Sequence, residues 1–336
     1  MADLEAGLDA LVQETGFSGV VRVDRNACVE LSKAYGLAHR GLGIPNELET
    51  RFGIASGTKG LTALTVVRLV QEGTFGLGTS ARSLLGEDLP LVDDRVTVEH
   101  LLAQRSGIGD YLDEEMVSDP EAFVLAVPPH RLATTEDYLA VLAGHPTKFA
   151  PGERFAYSNG GYVLLALLAE RATGTPFFEL VHTHVCEPAA LTQTSFPRSD
   201  EPEAGVALGY LSLGDGLRTN ILPLPVRGIG DGGAVSTIAD VHRLWAAFFA
   251  GRIVAMDWVR EMTRPRDDVS PEYGLGFWLL AGGRGVLLEG SDAGISFRSL
   301  HAPALGVTAT VMSNTTGGAW PVAEYLAEGF ELGGAI

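Results

Sequence analysis

Lysine is scarce in this sequence. Only Lys33, Lys59 and Lys148 occur among the 336 residues, and arginine supplies the rest of the positive charge. The 42 acidic side chains outnumber the 24 lysines and arginines, which gives a formal net charge of −18. Because so acidic a surface repels phosphate backbones, we expect no nucleic-acid partner.

Cysteine and long apolar runs are scarce as well. Cys28 and Cys186 stand far apart, which excludes a disulfide framework and does not match the ligand spacing of a metal site. No apolar run reaches the roughly 18 residues that a membrane span needs. The N-terminus is acidic and amphipathic, without the basic and apolar parts of a secretion signal. We therefore expect free thiols, no membrane span and a cytoplasmic setting.

The patterns typical of β-strands lie at the two ends of the chain. Two strands are predicted near the N-terminus, in FSGVVRVD and CVELSKAYGLA, and short β runs return from Tyr273 onward. Between these ends, apolar residues recur mainly at helical spacing. The economical arrangement is an antiparallel sheet built from both chain ends, flanked by helices, with a mostly helical lobe inserted between them.

This pattern predicts an α/β fold of the α+β type in one folding unit, residues 1–336. Its α/β lobe would comprise residues 1–60 and 260–336, and its mainly helical lobe residues 61–259. The sequence shows no internal repeat and no low-complexity segment that would indicate a further division.

Ser56 and Lys59 stand at the start of a predicted apolar helix, in FGIASGTKGLTALTVVRLVQEG. Side chains at i and i+3 share one face of a helix. The free N–H groups at a helix start favour negative charge on a serine oxygen, and a buried lysine can act as a base. The spacing therefore predicts an activated nucleophile of the Ser-Lys type. The alternative is an N-cap serine followed by a solvated lysine.

A second motif, Tyr157-Ser158-Asn159, directly precedes another apolar helix. A phenol beside an ammonium is expected to share or lose its proton more easily than a free tyrosine, whose pKa is about 10. The Asn159 amide can hold the lysine or a substrate carbonyl. A capping motif is also compatible with these residues, with Ser158 or Asn159 as the N-cap and Tyr157 as a packing residue.

These motifs resemble the serine β-lactamase/penicillin-binding protein superfamily, in its class C β-lactamase-like branch of esterases, D-amino-acid peptidases and β-lactamases. The resemblance covers nearly the whole chain and includes, in order, FSGVVRVD, VTVEHLLAQRSGIGDY, GDGGAVSTIADVHRL, YGLGFW and VMSNTT. It implies a β-lactamase/transpeptidase-like fold and acylation of Ser56, with general acid and base work shared by Lys59 and Tyr157. It also implies that Asn159 orients Lys59 and the acyl amide, that Tyr111 lies near the substrate, and that no metal or organic cofactor is needed.

The third motif of that family, K-T-G or H-x-G on an inner strand, is altered in the matching stretch LLEGSDAGISF. If Phe297 anchors the register, Gly290 stands at the cation position and Asp292 at the glycine position. If Gly294 anchors it, Gly290 is the motif glycine and Leu288 replaces the cation. In either register the cation is missing.

The altered motif still offers a backbone donor and a carboxylate. The Ala293 N–H is a candidate to pair with the N–H of Ser56 as an oxyanion hole. Asp292 would repel a substrate carboxylate. We therefore predict binding roles for Asp292 and Ala293, and a substrate that is neutral or cationic.

Together these features predict a serine hydrolase that works through an acyl-enzyme, most simply an esterase or amidase on a small acyl substrate without a recognised carboxylate. Three alternatives stay open. The chain could transfer an acyl group to another acceptor in small-molecule biosynthesis, act as a β-lactamase or D-peptidase, or be a non-catalytic relative that kept the fold.

Overall fold

The computed structural model describes residues 2–117, 119, 121–213, 216–266 and 271–330. The strands in this part of the chain are β1 (Gly19–Arg25), β2 (Cys28–Tyr35), β3 (Leu37–His39), β4 (Ile44–Pro45), β5 (Phe52–Gly53), β6 (Tyr210–Leu213), β7 (Gly216–Thr219), β8 (Val235–Ser236), β9 (Trp278–Leu279), β10 (Val286–Asp292), β11 (Ile295–Ala302) and β12 (Val307–Ser313). The α-helices are α1 (Ala2–Thr15), α2 (Thr58–Gln71), α3 (Arg82–Leu85), α4 (Val98–Leu102), α5 (Leu139–Leu142), α6 (Asn159–Thr173), α7 (Phe177–Val181), α8 (Glu187–Ala189), α9 (Ile238–Phe249), α10 (Met256–Met262) and α11 (Ala319–Gly329). A π-helical turn, His182–Cys186, joins α7 to α8.

The largest sheet of the described residues is antiparallel and has the strand order β2-β1-β12-β11-β10-β9. Its first two strands come from the N-terminal part of the chain and the other four from the C-terminal part. The pairing of β1 with β12 joins the two ends of the chain within one sheet. The predicted fold class is thereby confirmed, whereas the lobe boundaries at residues 60 and 260 stay a prediction.

Alternate side chains along each strand point to opposite faces of this sheet. On one face, Val21 and Leu287 pack in a core that α1 and α11 cover. On the other, Val20 and Leu288 join the larger core, to which α2, α6 and α9 contribute. Gly290 follows Leu288 by two residues and therefore lies on the face turned toward α2.

Helices α2 and α6 form the centre of the helical part. They contact one another, and most residues of both are buried on all sides. This explains why their sequences read as nearly continuous apolar runs. Of the helices in the described residues, none is both long and apolar enough to cross a bilayer.

His301 of β11 makes the fold sensitive to acid. Its ring packs on Trp245 and Phe249 of α9, with centroids 6.1 and 4.7 Å away, and its Nδ1 lies 2.8 Å from Thr308 Oγ1. Burial lowers the pKa of His301 to about 4. A histidine in the unfolded chain takes up a proton near pH 6.5. The contribution of the buried, neutral His301 ring to the stability of the fold is therefore complete above that pH. It is lost as the pH falls toward about 4.

We expect His301→Phe, which keeps an aromatic ring and does not titrate, to lose less free energy of unfolding between about pH 7 and pH 4 than the unchanged chain. Urea unfolding at several pH values measures this difference. The control is His182→Phe, at a histidine whose side chain is 62% exposed. An equal decline in His301→Phe and the unchanged protein would contradict the prediction.

Candidate active site

Ser56 lies in a 3₁₀ turn, Ala55–Gly57, that runs directly into α2. Ala55 has a φ of +43°, a left-handed conformation that costs free energy in any residue with a Cβ atom. Gly57 is pressed against the sheet, since a Cβ there would lie 2.4 Å from Phe297 Cε1. Close packing of the turn on the sheet therefore maintains the strained backbone that presents Ser56 at the helix start.

Lys59 is 2% exposed and has three hydrogen-bond acceptors. Its Nζ donates to Ser56 Oγ at 2.9 Å, to Asn159 Oδ1 at 2.7 Å and to the carbonyl oxygen of Asp231 at 2.9 Å. The face of the Tyr157 ring lies beside it, with the centroid 4.8 Å from Nζ. Three acceptors match the three N–H bonds of an ammonium. Lys59 is therefore a buried amine, and the alternative of a solvated lysine is wrong.

Tyr157 interacts with the Ser56 hydroxyl as well as with Lys59. Its ring stacks on Trp278 at a centroid distance of 5.9 Å and an interplanar angle of 9°. Burial, reinforced by the negative charge of Glu114, raises its pKa well above the usual value, although a hydrogen bond with Ser56 acts in the opposite direction. The expectation that this phenol loses its proton easily is therefore wrong, and Tyr157 is a protonated donor near neutral pH.

The start of α6 is held by two sets of caps. Ser158 is the N-cap and accepts a hydrogen bond from the N–H of Gly161 at 3.0 Å. The Asp110 carboxylate accepts the N–H groups of Asn159 and Gly160 at 2.7 and 2.9 Å. The capping interpretation therefore holds for Ser158, and the caps fix the helix start that brings the Asn159 amide within hydrogen-bond distance of Lys59.

Gly290 resolves the register of the altered third motif. A Cβ at this position would lie 2.3 Å from the backbone nitrogen of Ser56, so only glycine allows β10 to approach the nucleophile this closely. Gly290 therefore occupies the glycine position, and Leu288 stands where the family's cation is expected. The Leu288 side chain is buried and packs against Gly60 of α2.

The predicted role of Ala293 in the oxyanion hole is wrong. Its N–H donates to Asp292 Oδ1 at 2.8 Å, in the turn beyond the end of β10. Asp292 and Ile295 face each other across this two-residue turn as a hydrogen-bonded pair. Hydrogen-bonded and non-hydrogen-bonded pairs alternate along an antiparallel ladder, so Ser291 belongs to a pair whose backbone groups point away from β11. This alternation directs the N–H of Ser291 to the outer edge of β10, beside Ser56. The N–H of Ser291 is therefore the candidate partner in the oxyanion hole.

A cavity of about 450 Å³ opens in front of Ser56. Its walls include the carboxylates of Glu114, Glu289 and Asp292, and the guanidinium of Arg298. Arg298 is already bonded to Glu289, at 2.7 Å. Burial raises the pKa of Asp292 to about 6, so its side chain is mainly ionised at neutral pH. The cavity therefore carries an excess of negative charge near neutral pH.

Tyr111 is turned toward the interior. Its hydroxyl donates to Asp231 Oδ2 at 2.5 Å, whereas the neighbouring Leu112 lines the cavity. The sequence assigns no role to the Asp231 carboxylate, because nothing in it distinguishes a buried charge from one in a solvated loop. The structure brings together Ser56, Lys59, Tyr157, Asn159 and Asp292 of the predicted site residues, and places Tyr111 and Ala293 behind them.

The chain matches the Beta-lactamase family model over residues 4–331. It is 33% identical to the penicillin-binding protein from Bacillus halodurans, and the two structures superpose with a TM-score of 0.89 over 96% of this chain and 99% of that one. The Putative penicillin-binding protein PbpX of Bacillus subtilis (strain 168) is 24% identical over 81% of this chain and 64% of its own length. Esterase EstB of Burkholderia gladioli is 35% identical over 60% of this chain and 53% of its own length. The chain thus spans less than two thirds of each of these two relatives, and it belongs to the Beta-lactamase family.

Proposed function

We propose that this chain is a serine hydrolase that forms an acyl-enzyme on Ser56. The observation that carries the proposal is the 2.9 Å contact between Lys59 Nζ and Ser56 Oγ at the wall of an open cavity. Neutral Lys59 accepts the hydroxyl proton while Ser56 Oγ bonds to the acyl carbon. Tyr157 is hydrogen-bonded to Ser56 and donates its proton to the leaving oxygen or nitrogen. Water then attacks the acyl-enzyme, and the proton transfers run in reverse.

Backbone N–H groups would stabilise the negative charge that develops on the acyl oxygen. The N–H of Ser56 lies at the start of α2, and that of Ser291 faces the same space from the edge of β10. Two such donors stabilise the tetrahedral intermediate more than the planar substrate, which is the requirement for catalysis.

The charges around the cavity favour an ester or amide that lacks a carboxylate. Leu288 provides no positive charge at the family's cation position. Arg298 is neutralised by Glu289, while Glu114 and Asp292 have no cation bonded to them among the described residues that line the cavity. A neutral acyl compound, or one with an ammonium group, therefore fits this site better than an anion. The name of the relative Esterase EstB supports an ester as the first substrate to test.

We expect hydrolysis of acetyl thioesters to depend on the charge of the thiol. Suitable matched substrates are acetylthiocholine, its neutral 3,3-dimethylbutyl analogue and the thioacetate of 3-mercaptopropionate. Two unpaired carboxylates near the site make the anionic thioester the poorest, with a kcat/KM at least about tenfold below that of the neutral one. Release of thiol, followed with a chromogenic disulfide, measures all three rates.

Asp292→Asn tests the origin of this discrimination. Removing the carboxylate should reduce the difference between the neutral and the anionic thioester. In the unchanged enzyme the same difference should shrink as the pH falls through about 6, where Asp292 takes up a proton. Fastest hydrolysis of the anionic thioester would contradict the proposed substrate class but leave the serine hydrolase intact.

A further inference from the structure

Asp231 carries a buried carboxylate, 8% exposed, directly behind Lys59. Its carbonyl oxygen accepts from Lys59 Nζ at 2.9 Å, and its carboxylate accepts from the Tyr111 hydroxyl at 2.5 Å. The backbone here has no room to withdraw, since a Cβ on Gly230 would lie 2.2 Å from the carbonyl oxygen of Tyr162 in α6. Contacts of Gly230 with α6, and the hydrogen bond from Thr62 of α2 to its carbonyl oxygen, thus fix the backbone that carries Asp231 beside Lys59.

The carboxylate and the amine act on one another electrostatically. Burial raises the pKa of Asp231, while the attraction of Lys59 and the hydrogen bond from Tyr111 act in the opposite direction. A buried charge needs a partner of opposite sign, because desolvation alone is costly. The other titratable groups that interact with this carboxylate across the site are Asp110, Tyr138, Tyr157 and Asp292.

We propose that Asp231 is the buried counter-ion of Lys59, a positioning residue that keeps positive charge at the Ser56 hydroxyl and thereby sets the pH range of catalysis. This inference rests on the proposed function. Acylation requires a neutral Lys59 that can accept the proton of Ser56. The Asp231 carboxylate favours the ammonium form of Lys59 and therefore opposes formation of the neutral amine. The same carboxylate opposes negative charge on Tyr157. Both effects move the working range of the enzyme to higher pH.

Asp231→Asn removes the charge but keeps the side-chain size and an oxygen that can accept from Tyr111. The pH profile of kcat/KM reports the ionising groups of the free enzyme. With 4-nitrophenyl acetate we expect both limbs of the profile to move to lower pH by about one unit. A purely structural role would lower the rate at every pH without moving the limbs. Asp94→Asn is the charge-matched control, at a carboxylate that is 81% exposed, and should leave the profile in place.

Two further variants keep the test decisive. The pKa of Asp292 also responds to Asp231, so the comparison is repeated in an Asp292→Asn background, where we expect the shift to persist. If Asp231→Asn does not fold, Tyr111→Phe takes its place. Loss of the donated hydrogen bond makes the carboxylate easier to protonate, so Tyr111→Phe should move the profile in the same direction by a smaller amount.

The outcomes separate this inference from the proposed function. In the Asp292→Asn background, superposable pH profiles with and without Asp231→Asn would overturn the role of Asp231. If Asp231→Asn does not fold, an unchanged pH profile of Tyr111→Phe would overturn it instead. Failure of a fluorophosphonate to add to Ser56 in the unchanged protein, measured as intact mass, would instead overturn the serine hydrolase. An adduct together with a shifted profile supports both.

Discussion

Ser56→Ala is expected to lower kcat/KM for a small ester by more than about 10⁴-fold. The Ser56 hydroxyl is the acceptor of the Lys59 hydrogen bond and faces the cavity, so its removal leaves no atom that can form the acyl-enzyme. The remaining rate would come from substrate binding and the backbone donors alone. Hydrolysis of 4-nitrophenyl acetate measures the loss, and the acyl-enzyme mass should disappear with it.

The matched control for this change is Ser83→Ala, at an exposed serine of α3 whose hydroxyl bonds to the carbonyl oxygen of Ser80. Its rate should stay within about twofold of the unchanged protein, because an exposed hydroxyl contributes little to fold or site. Equal turnover by Ser56→Ala and Ser83→Ala would exclude Ser56 as the nucleophile. If their shared rate also equalled hydrolysis of the ester in buffer alone, it would favour the alternative of a non-catalytic relative.

The parts of this site that follow from local sequence could be predicted. Ser56 and Lys59 lie one helical turn apart, and Tyr157 and Asn159 precede a second apolar helix, so spacing alone relates the members of each pair. The strands at the chain ends could be predicted as well, since β1 and β12 are short runs rich in β-branched residues. The match to family motifs then related the two helix starts to one another, which spacing alone could not do.

The charges of the site depend on packing and could not be predicted. Asp231 and Glu289 look like ordinary polar residues in the sequence, yet one is buried behind Lys59 and the other lines the cavity. The shift in the pKa of Tyr157 also depends on burial, which local sequence does not reveal. A neighbouring ammonium suggested a lower value, but desolvation and the charge of Glu114 outweigh its effect.

The register of the third motif was ambiguous for a different reason. A strand repeats every two residues, so a shift of two leaves the same side chains on the same face. From the strand pattern alone, the glycine position of the motif could therefore fall on Gly290 or on Asp292. What distinguishes them is the close approach of β10 to Ser56, a tertiary contact that leaves no mark in the strand's own sequence.

This approach leads to the second large effect, that of Gly290→Ala. The added methyl group would lie 2.3 Å from the Ser56 nitrogen, 2.9 Å from Ala55 Cβ and 2.9 Å from the carbonyl oxygen of Ile54. None of these is the end of a flexible side chain, so β10 or the turn before α2 must move. Because that movement separates the N–H groups of Ser56 and Ser291, we expect kcat to fall by roughly 10²- to 10³-fold, as for loss of an oxyanion-hole donor.

The stability of the variant distinguishes this effect from simple unfolding. Overpacking of this kind costs about 1–3 kcal/mol, which thermal unfolding would register as a lower Tm in a protein that is still folded at the assay temperature. Gly78→Ala is the control, because a Cβ there meets no atom within 4 Å and the glycine is exposed. A kcat for Gly290→Ala within about threefold of that control would mean that β10 can retreat without loss of catalysis. The Ser291 N–H would then have no part in stabilising the oxyanion.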